Sequence, residues 1–134
     1  MKKLIAVTLL VCCVSSINAQ QYFDVTKYGA KKDSSGKATA AIKKAIDAAS
    51  KTGGGTVYFP AGKYLTGPIH LKSNITIFID AGAELHFSDD FDDYLPMVQS
   101  RYEGVDVMSF SPLVYAYKAE NISIVSRTVA SHGM

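Results

Sequence analysis

The sequence predicts an all-β domain that follows one helix, and three observations indicate it. The spacing of apolar residues changes from helical to alternating after Gly55. Short strand-like segments then succeed one another, separated by Gly, Pro, Asn and Asp. Finally, Asn-Ile-Thr-Ile at 74–77 recurs as Asn-Ile-Ser-Ile at 121–124, and such an echo is typical of internal repeats. These observations alone leave a β-solenoid and a β-sandwich open.

The composition is that of one globular domain. The chain has 134 residues, of which 48% are hydrophobic and 19% charged. Its net charge of +2 equals the contribution of Lys2 and Lys3, so the rest of the chain is balanced. Nucleic acid is therefore not an expected partner, because binding its phosphates needs a basic patch.

Residues 1–19 have the features of a secretory signal peptide. A basic start precedes an apolar run over 4–14 and a cleavage motif, Ile-Asn-Ala, at 17–19. That run is about eleven residues, and a membrane-spanning helix needs roughly twenty, so no span is expected. Both cysteines, Cys12 and Cys13, lie in this segment, and lipidation of one of them is the alternative. We expect a secreted or periplasmic protein whose mature chain has no thiol for a disulfide or a metal.

One helix is predicted over 38–51, where apolar residues recur at helical spacing on one narrow face. Residues 34–36, Ser-Ser-Gly, precede it and are expected to supply capping and turn chemistry. Three glycines at 53–55 are expected to end it.

The strand-like segments have one apolar face. In the third of them, the isoleucines at 75, 77 and 79 lie on the face opposite to Phe78. Asn74 and Asn121 each precede a strand, where asparagine tolerates the left-handed backbone conformation or stacks in a side-chain ladder. The six predicted segments are 56–60, 63–71, 74–80, 83–87, 112–117 and 121–125.

Three stretches carry a resemblance to known proteins. Residues 28–50 and 53–85 contain, in order, Tyr-Gly-Ala, the helix, Gly-Gly-Gly-Thr-Val and Pro-Ala-Gly-Lys-Tyr. They are similar to the amino-terminal region of pectin-degrading right-handed β-helix proteins. Residues 100–124, SRYEGVDVMSFSPLVYAYKAENISI, resemble glycoside hydrolase family 28, the polygalacturonases and their relatives, more than the pectate lyases. The resemblance implies a right-handed parallel β-helix, with helix 38–51 as the cap over its first coil.

The resemblance also implies an activity. Family 28 enzymes hydrolyse the α-1,4 bonds between galacturonic acid units of pectin with inversion, using one carboxylic acid and one carboxylate-activated water. The partner would be galacturonan, with no metal or cofactor. The catalytic aspartates of the family lie in Asn-Thr-Asp, Asp-Asp, Gly-His-Gly and Arg-x-Lys segments, none of which occurs here in its context. We therefore assign no catalytic residue and expect this chain by itself to be inactive.

Residues 126–134 depart from the family pattern, which continues into a glycine-rich stretch and further coils. We expect residues 20–125 to be the first part of a longer β-helix domain, interrupted by a truncation or a frameshift near residue 125. The last coil would then have an open edge that favours self-association. Two alternatives to the hydrolase are a non-catalytic β-helix that binds glycans or serves as a scaffold, and a fragment of a pectate lyase-like protein.

Arg101 and Tyr102 are the candidate substrate-binding residues. If their loop borders a saccharide cleft, Arg101 would pair with a uronate carboxylate and Tyr102 would stack on a sugar ring. The alternative is a loop that is held by an internal pair between Arg101 and an acidic residue.

The remaining polar candidates are weaker. Asp-Asp pairs at 89–90 and 92–93 suggest catalytic acids or calcium ligands, but a solvated, turn-forming loop is the favoured interpretation. His70 and His86 are expected to point outward from their strands, without zinc. His132 is expected to be an exposed terminal histidine.

Overall fold

The protein is a parallel β-helix of short coils. A computed structural model describes residues 20–127. The first coil has β1 (Tyr22–Asp24), β2 (Asp33–Lys37) and α1 (Thr39–Lys51), and the second has β3 (Gly55–Phe59), β4 (Gly62–Thr66) and β5 (Ile69–Leu71). The third has β6 (Ile75–Ile79), β7 (Ala83–Phe87), the inserted pair β8 (Val98–Tyr102) and β9 (Val105–Ser109), and then β10 (Val114–Ala116). A fourth coil begins with β11 (Ser123–Ser126), and short 3-10 helices span Val25–Tyr28 and Phe91–Tyr94.

The strands stack in three parallel sheets. Their orders are β1-β3-β6-β11, β2-β4-β7 and β5-β10, and all of these pairings are parallel. Thr56 faces Thr76, which in turn faces Ser123. The Asn-Ile-Thr-Ile repeat is therefore one turn of a solenoid, which excludes the β-sandwich.

The core lies inside the coils, and α1 covers its first end. The apolar face of α1 is buried, and the helix contacts β1, β3, β5 and β6. Within residues 20–127, sheet β5-β10 has no strand from the first coil, and α1 occupies that position. The predicted cap is confirmed. The core includes Phe59 and Tyr64, whose rings meet edge to face at 5.6 Å, together with Val25, Ile42, Ile46, Val57, Ile75 and Ile77.

The start of α1 differs from the prediction. Residues 34–36 do not cap the helix but lie in β2, which pairs with β4 through a register shift. Ala38 is the N-cap residue and makes no side-chain capping bond. Its N–H instead donates to the carbonyl of Leu65 at 2.7 Å. Pairing with the second coil thus decides the conformation of this segment, and turn propensity does not.

Two further strand predictions were wrong in detail. The predicted segment 63–71 is two strands, β4 and β5, because the chain turns at Gly67 and Pro68. The Thr39 hydroxyl fixes this turn by accepting a 2.7 Å hydrogen bond from the Gly67 N–H. The β8–β9 hairpin, expected to be a loop, is antiparallel.

The corner before β6 depends on glycine. Asn74 and Asn121 have positive φ angles of 62° and 54°, which confirms the expected left-handed conformation. Gly54 has φ +129°, and a Cβ atom at this position would lie 2.5 Å from the carbonyl oxygen of Asn74. No larger residue fits there without movement of the backbone.

The last described coil is open. A cavity of about 350 Å³ there is lined by apolar side chains, including Ile79, Leu85, Phe87 and Ile124. Ile124 is 54% exposed, and within residues 20–127 no strand follows β7, β10 or β11 in its sheet. The predicted boundary at residue 125 falls inside β11, and the Arg127 N–H still bonds the carbonyl of Ile79 at 2.9 Å. Residues 1–19 and 128–134 lie outside the described part.

Candidate functional site

The segment that contains Arg101 and Tyr102 is a two-stranded hairpin. β8 and β9 pair antiparallel, with Arg101 opposite Asp106 and Tyr102 opposite Val105. Glu103 and Gly104 form the turn, and their φ angles of 47° and 87° are those that a tight two-residue hairpin requires. Both predicted site residues therefore lie on a strand with fixed register.

Two tyrosines of the third sheet hold this hairpin. The Tyr115 hydroxyl donates to the Gln99 carbonyl, and the Tyr117 hydroxyl donates to Gln99 Oε1, both at 3.0 Å. Tyr115 lies in β10 and Tyr117 directly after it. Their rings are nearly parallel, 2° apart in orientation with centroids 6.4 Å apart. Gln99 thus fixes both the hairpin and the two rings.

A depression lies between the hairpin and β10. Its volume is about 400 Å³, and Arg101 and Tyr117 stand in its wall, so we call it the Arg101–Tyr117 depression. Tyr102 is 69% exposed and does not line it. The residues around the depression are Gln99, Ser100, Arg101, Asp106, Tyr115, Ala116 and Tyr117. The structure therefore separates the two predicted residues, and the substrate-binding role of each stays a prediction.

One cation, Arg101, lines the depression, and a second, Lys118, lies over one of its aromatic rings. The Lys118 ammonium lies 5.2 Å from the centroid of the Tyr117 ring, within cation–π distance. Arg101 is exposed and donates one hydrogen bond, of 3.2 Å, to the carbonyl of Gly104. Among the described residues Arg101 has no carboxylate oxygen within 4.0 Å, so no internal pair with an acid neutralises it. Its guanidinium keeps most of its donors for another group.

The histidines point outward, as predicted. His70 Nε2 lies 3.0 Å from Ser111 Oγ, and its ring is 5.3 Å from that of Tyr115. It therefore extends the row of two tyrosines. His86 is exposed and lies 3.0 Å from Glu84 Oε2. The prediction for His132 lies outside the described residues.

The acidic loop has a structural role. Asp90 accepts a hydrogen bond from the N–H of Asp92 and so caps the second 3-10 helix. Lys37 Nζ donates to Asp93 Oδ1 at 2.6 Å, and this hydrogen bond lowers the pKa of Asp93. The pair ties the loop to β2. Residues 20–127 contain no group of three or more histidine, cysteine or acidic side chains that would hold a metal ion.

Tyr115, Tyr117 and Gln99 are the members of this site that sequence reasoning missed. A signal for the tyrosines was present, because residues two apart on a strand share a face and both lie in the predicted strand 112–117. No comparable signal pointed to Gln99, since its role depends on how the hairpin meets β10.

Comparison with known proteins identifies the family. Residues 22–132 match the model of the rhamnogalacturonase A/epimerase, pectate lyase-like family. The chain belongs to this family. The match extends beyond the predicted boundary at residue 125.

Two exopolygalacturonases are among the solved structures that resemble this chain. That of Thermotoga maritima is 38% identical, with a TM-score of 0.74 over 81% of this chain and 24% of its own. The family 28 exopolygalacturonase of Yersinia enterocolitica is 30% identical, with a TM-score of 0.70 over 80% and 20%. The predicted likeness to family 28 is thus confirmed, as is the parallel β-helix.

A curated relative is also a galacturonosidase. The exo-poly-alpha-D-galacturonosidase of Dickeya chrysanthemi is 44% identical over 71 residues, which are 53% of this chain and 12% of that protein. The chain spans a quarter or less of each of these three proteins.

Proposed function

We propose that this chain supplies the amino-terminal coils of a polygalacturonase-like hydrolase that cleaves α-1,4-galacturonosidic bonds in pectin. One observation carries the proposal, namely the likeness to two exopolygalacturonase structures along four fifths of this chain. The proposal extends the substrate class of those proteins to the complete protein in which these coils take part.

In this function the described coils contribute shape, and other coils contribute the catalytic acids. An inverting glycosidase needs two carboxyl groups about 6.5–9.5 Å apart on opposite sides of the scissile bond. The Arg101–Tyr117 depression has one carboxylate in its wall, that of Asp106. Asp90 and Asp93 are engaged by a helix cap and by Lys37. We accordingly expect no hydrolysis by the 134-residue chain alone.

A chimera tests the function. Residues 20–127 replace the matched segment of the Thermotoga maritima exopolygalacturonase, which supplies the remaining coils. We expect release of reducing ends from polygalacturonate without the absorbance of an unsaturated uronide. A second chimera with Gly54→Ala is the control for correct docking of the grafted coils, because Gly54 lies against Asn74. A chimera that folds but leaves polygalacturonate intact contradicts the proposal.

We also propose that the protein is secreted or periplasmic. The proposal rests on residues 1–19, whose pattern is that of a cleaved signal peptide. Over residues 20–127, no helix combines the length and the apolar character that crossing a membrane requires. Mass spectrometry of the exported protein is expected to find Gln20 at its amino terminus, and retention in the cell with Met1 in place would contradict this.

Self-association through the open coil is a further part of the proposal. Ile124 and Val114 line the apolar cavity and are 54% and 37% exposed, and Val125 of β11 is 44% exposed. A second copy of the chain would cover these side chains and pair the edge strands. Light scattering during gel filtration is expected to give a dimer mass, and Ile124→Lys is expected to return the monomer. A wild-type monomer at all concentrations would argue against it.

A further inference from the structure

We propose that the Arg101–Tyr117 depression is a binding subsite for one uronate residue of an acidic oligosaccharide. The identity of the polymer rests on the proposed function, but the subsite is argued from the residues of this chain. Arg101 would bind the carboxylate, and the Tyr117 ring would contact the apolar face of the sugar.

The guanidinium of Arg101 favours an anion. Arg101 and Asp106 are the charged residues that line the depression, and the Lys118 ammonium lies over the Tyr117 ring, 5.2 Å from its centroid. The guanidinium is exposed and has one intramolecular hydrogen bond, to Gly104, so it retains a pair of parallel donors. Bidentate pairing with a carboxylate is the interaction for which this geometry is suited. A neutral sugar would leave that pairing unused.

The aromatic rings give the depression a fixed apolar wall. Tyr117 is 49% exposed, although its hydroxyl is held by Gln99 at 3.0 Å. Tyr115 is held by the same residue, and the two rings are parallel to within 2°. Because the rings are already oriented, binding costs little side-chain entropy. A pyranose ring has an apolar C–H face that buries well against such a surface.

The remaining wall is suited to sugar hydroxyl groups. Asp106 offers carboxylate acceptors, and Ser100 lines the same volume. The volume of about 400 Å³ lies in the range of ligand pockets, about 300–1,000 Å³. A few polar groups on an apolar wall are the usual composition of such a site.

The first experiment is calorimetric titration of the full chain with trigalacturonate, and with a neutral galactose trisaccharide for comparison. We expect the charged ligand to bind at least about tenfold more tightly, since charge-assisted hydrogen bonds carry this difference. Arg101→Gln should remove that preference, and Tyr117→Ala should weaken both ligands. Tyr117→Phe keeps the ring and should retain most of the affinity.

Matched controls lie away from the depression. Lys44→Gln removes an exposed charge on α1, and Tyr22→Ala removes a tyrosine that is 57% exposed on β1. Both should bind as the wild type does. Equal affinity for the charged and neutral trisaccharides, or equal losses in the controls and in Arg101→Gln, would overturn the proposal.

The same substitutions in the active chimera give a second measurement that does not need the isolated chain to fold. Arg101→Gln should raise KM for galacturonan at least about tenfold with kcat unchanged, the signature of lost substrate binding. An unchanged KM would overturn the subsite while leaving the hydrolase intact. Binding by the isolated chain together with an inactive chimera would instead reject the hydrolase and keep the subsite.

Discussion

Asn121 Nδ2 donates a 2.9 Å hydrogen bond to Asn74 Oδ1, from one coil of the solenoid to the coil before it. Both residues have the left-handed backbone conformation, and Ser123 repeats the relationship by donating to the hydroxyl of Thr76 at 2.9 Å. The two equivalent corners are therefore aligned by identical side chains. Such ladders fix the register of stacked coils.

Asn121→Ala should lower the free energy of unfolding by about 1–2 kcal/mol. Alanine is strained in the left-handed conformation, and the side-chain hydrogen bond to Asn74 is lost. Asn121→Gly should cost less, since glycine adopts positive φ readily. Urea denaturation measures both. Equal losses would show that backbone strain contributes nothing at this corner.

Gly54→Ala should destabilise the protein by more than about 2 kcal/mol. Its Cβ would lie 2.5 Å from the Asn74 carbonyl oxygen and 2.6 Å from Asn74 Cβ, in addition to the cost of φ +129°. Gly53→Ala is the matched control, because φ there is +92° but no atom lies within 4 Å. It should cost only about 1–2 kcal/mol. A similar loss in both variants would contradict the close contact.

Tyr64 predicts an alkaline loss of stability. Its ring is fully buried, its hydroxyl donates to the Pro60 carbonyl at 2.7 Å, and burial raises the pKa of Tyr64 from 10.0 to about 12. Between these values the folded protein holds a proton that the unfolded chain has lost. The contribution of Tyr64 to the free energy of unfolding is therefore fully present below pH 10. It decreases as the pH rises towards 12, by up to about 1.4 kcal/mol per pH unit.

Tyr64→Phe separates this effect from that of other tyrosines. It should cost about 1–2 kcal/mol at neutral pH by leaving the Pro60 carbonyl without its partner. Its stability should then decline less steeply than the wild type between pH 10 and 12. Denaturant titrations at a series of pH values test this, and parallel curves for the two proteins would refute it.

Asp47 predicts an acid effect of the opposite sign. It accepts hydrogen bonds from Lys43 at 2.8 Å and from Lys72 at 2.6 Å, and these lower its pKa below 3.8. The stabilisation is present above 3.8 and is lost as the pH falls through the lowered pKa. Asp47→Asn should cost about 0.5–1 kcal/mol at neutral pH, with the difference shrinking in acid. Asp89→Asn, at an exposed position outside any ion pair of the described residues, should cost almost nothing.

The elements with strong periodicity were predictable. Helix 38–51 was expected and Thr39–Lys51 is observed, because its alanine and isoleucine stripe buries only on one face. The inward isoleucines of β6 followed from alternation for the same reason, with Ile75 and Ile77 buried.

Elements that depend on partners distant in sequence were not predictable. β2 has turn-forming residues and is a strand only because β4 lies beside it. The turn of the hairpin is formed by Glu103 and Gly104. Glutamate is uncommon at the first position of such a turn, so the sequence did not predict a hairpin there. In the candidate site, Arg101 was found from the resemblance. Gln99 was not, because its two bonds depend on the docking of the hairpin.

The coils differ widely in length. Gly55 faces Ile75, 20 positions later, whereas Asn74 bonds Asn121, 47 positions later. Both turns advance the axis by one strand spacing, about 4.8 Å. The position of a strand along the solenoid axis thus depends on the number of preceding coils and not on the number of residues in each coil. A corner segment such as the hairpin can therefore differ in length while every later strand keeps its level, so the corner can vary independently of the scaffold.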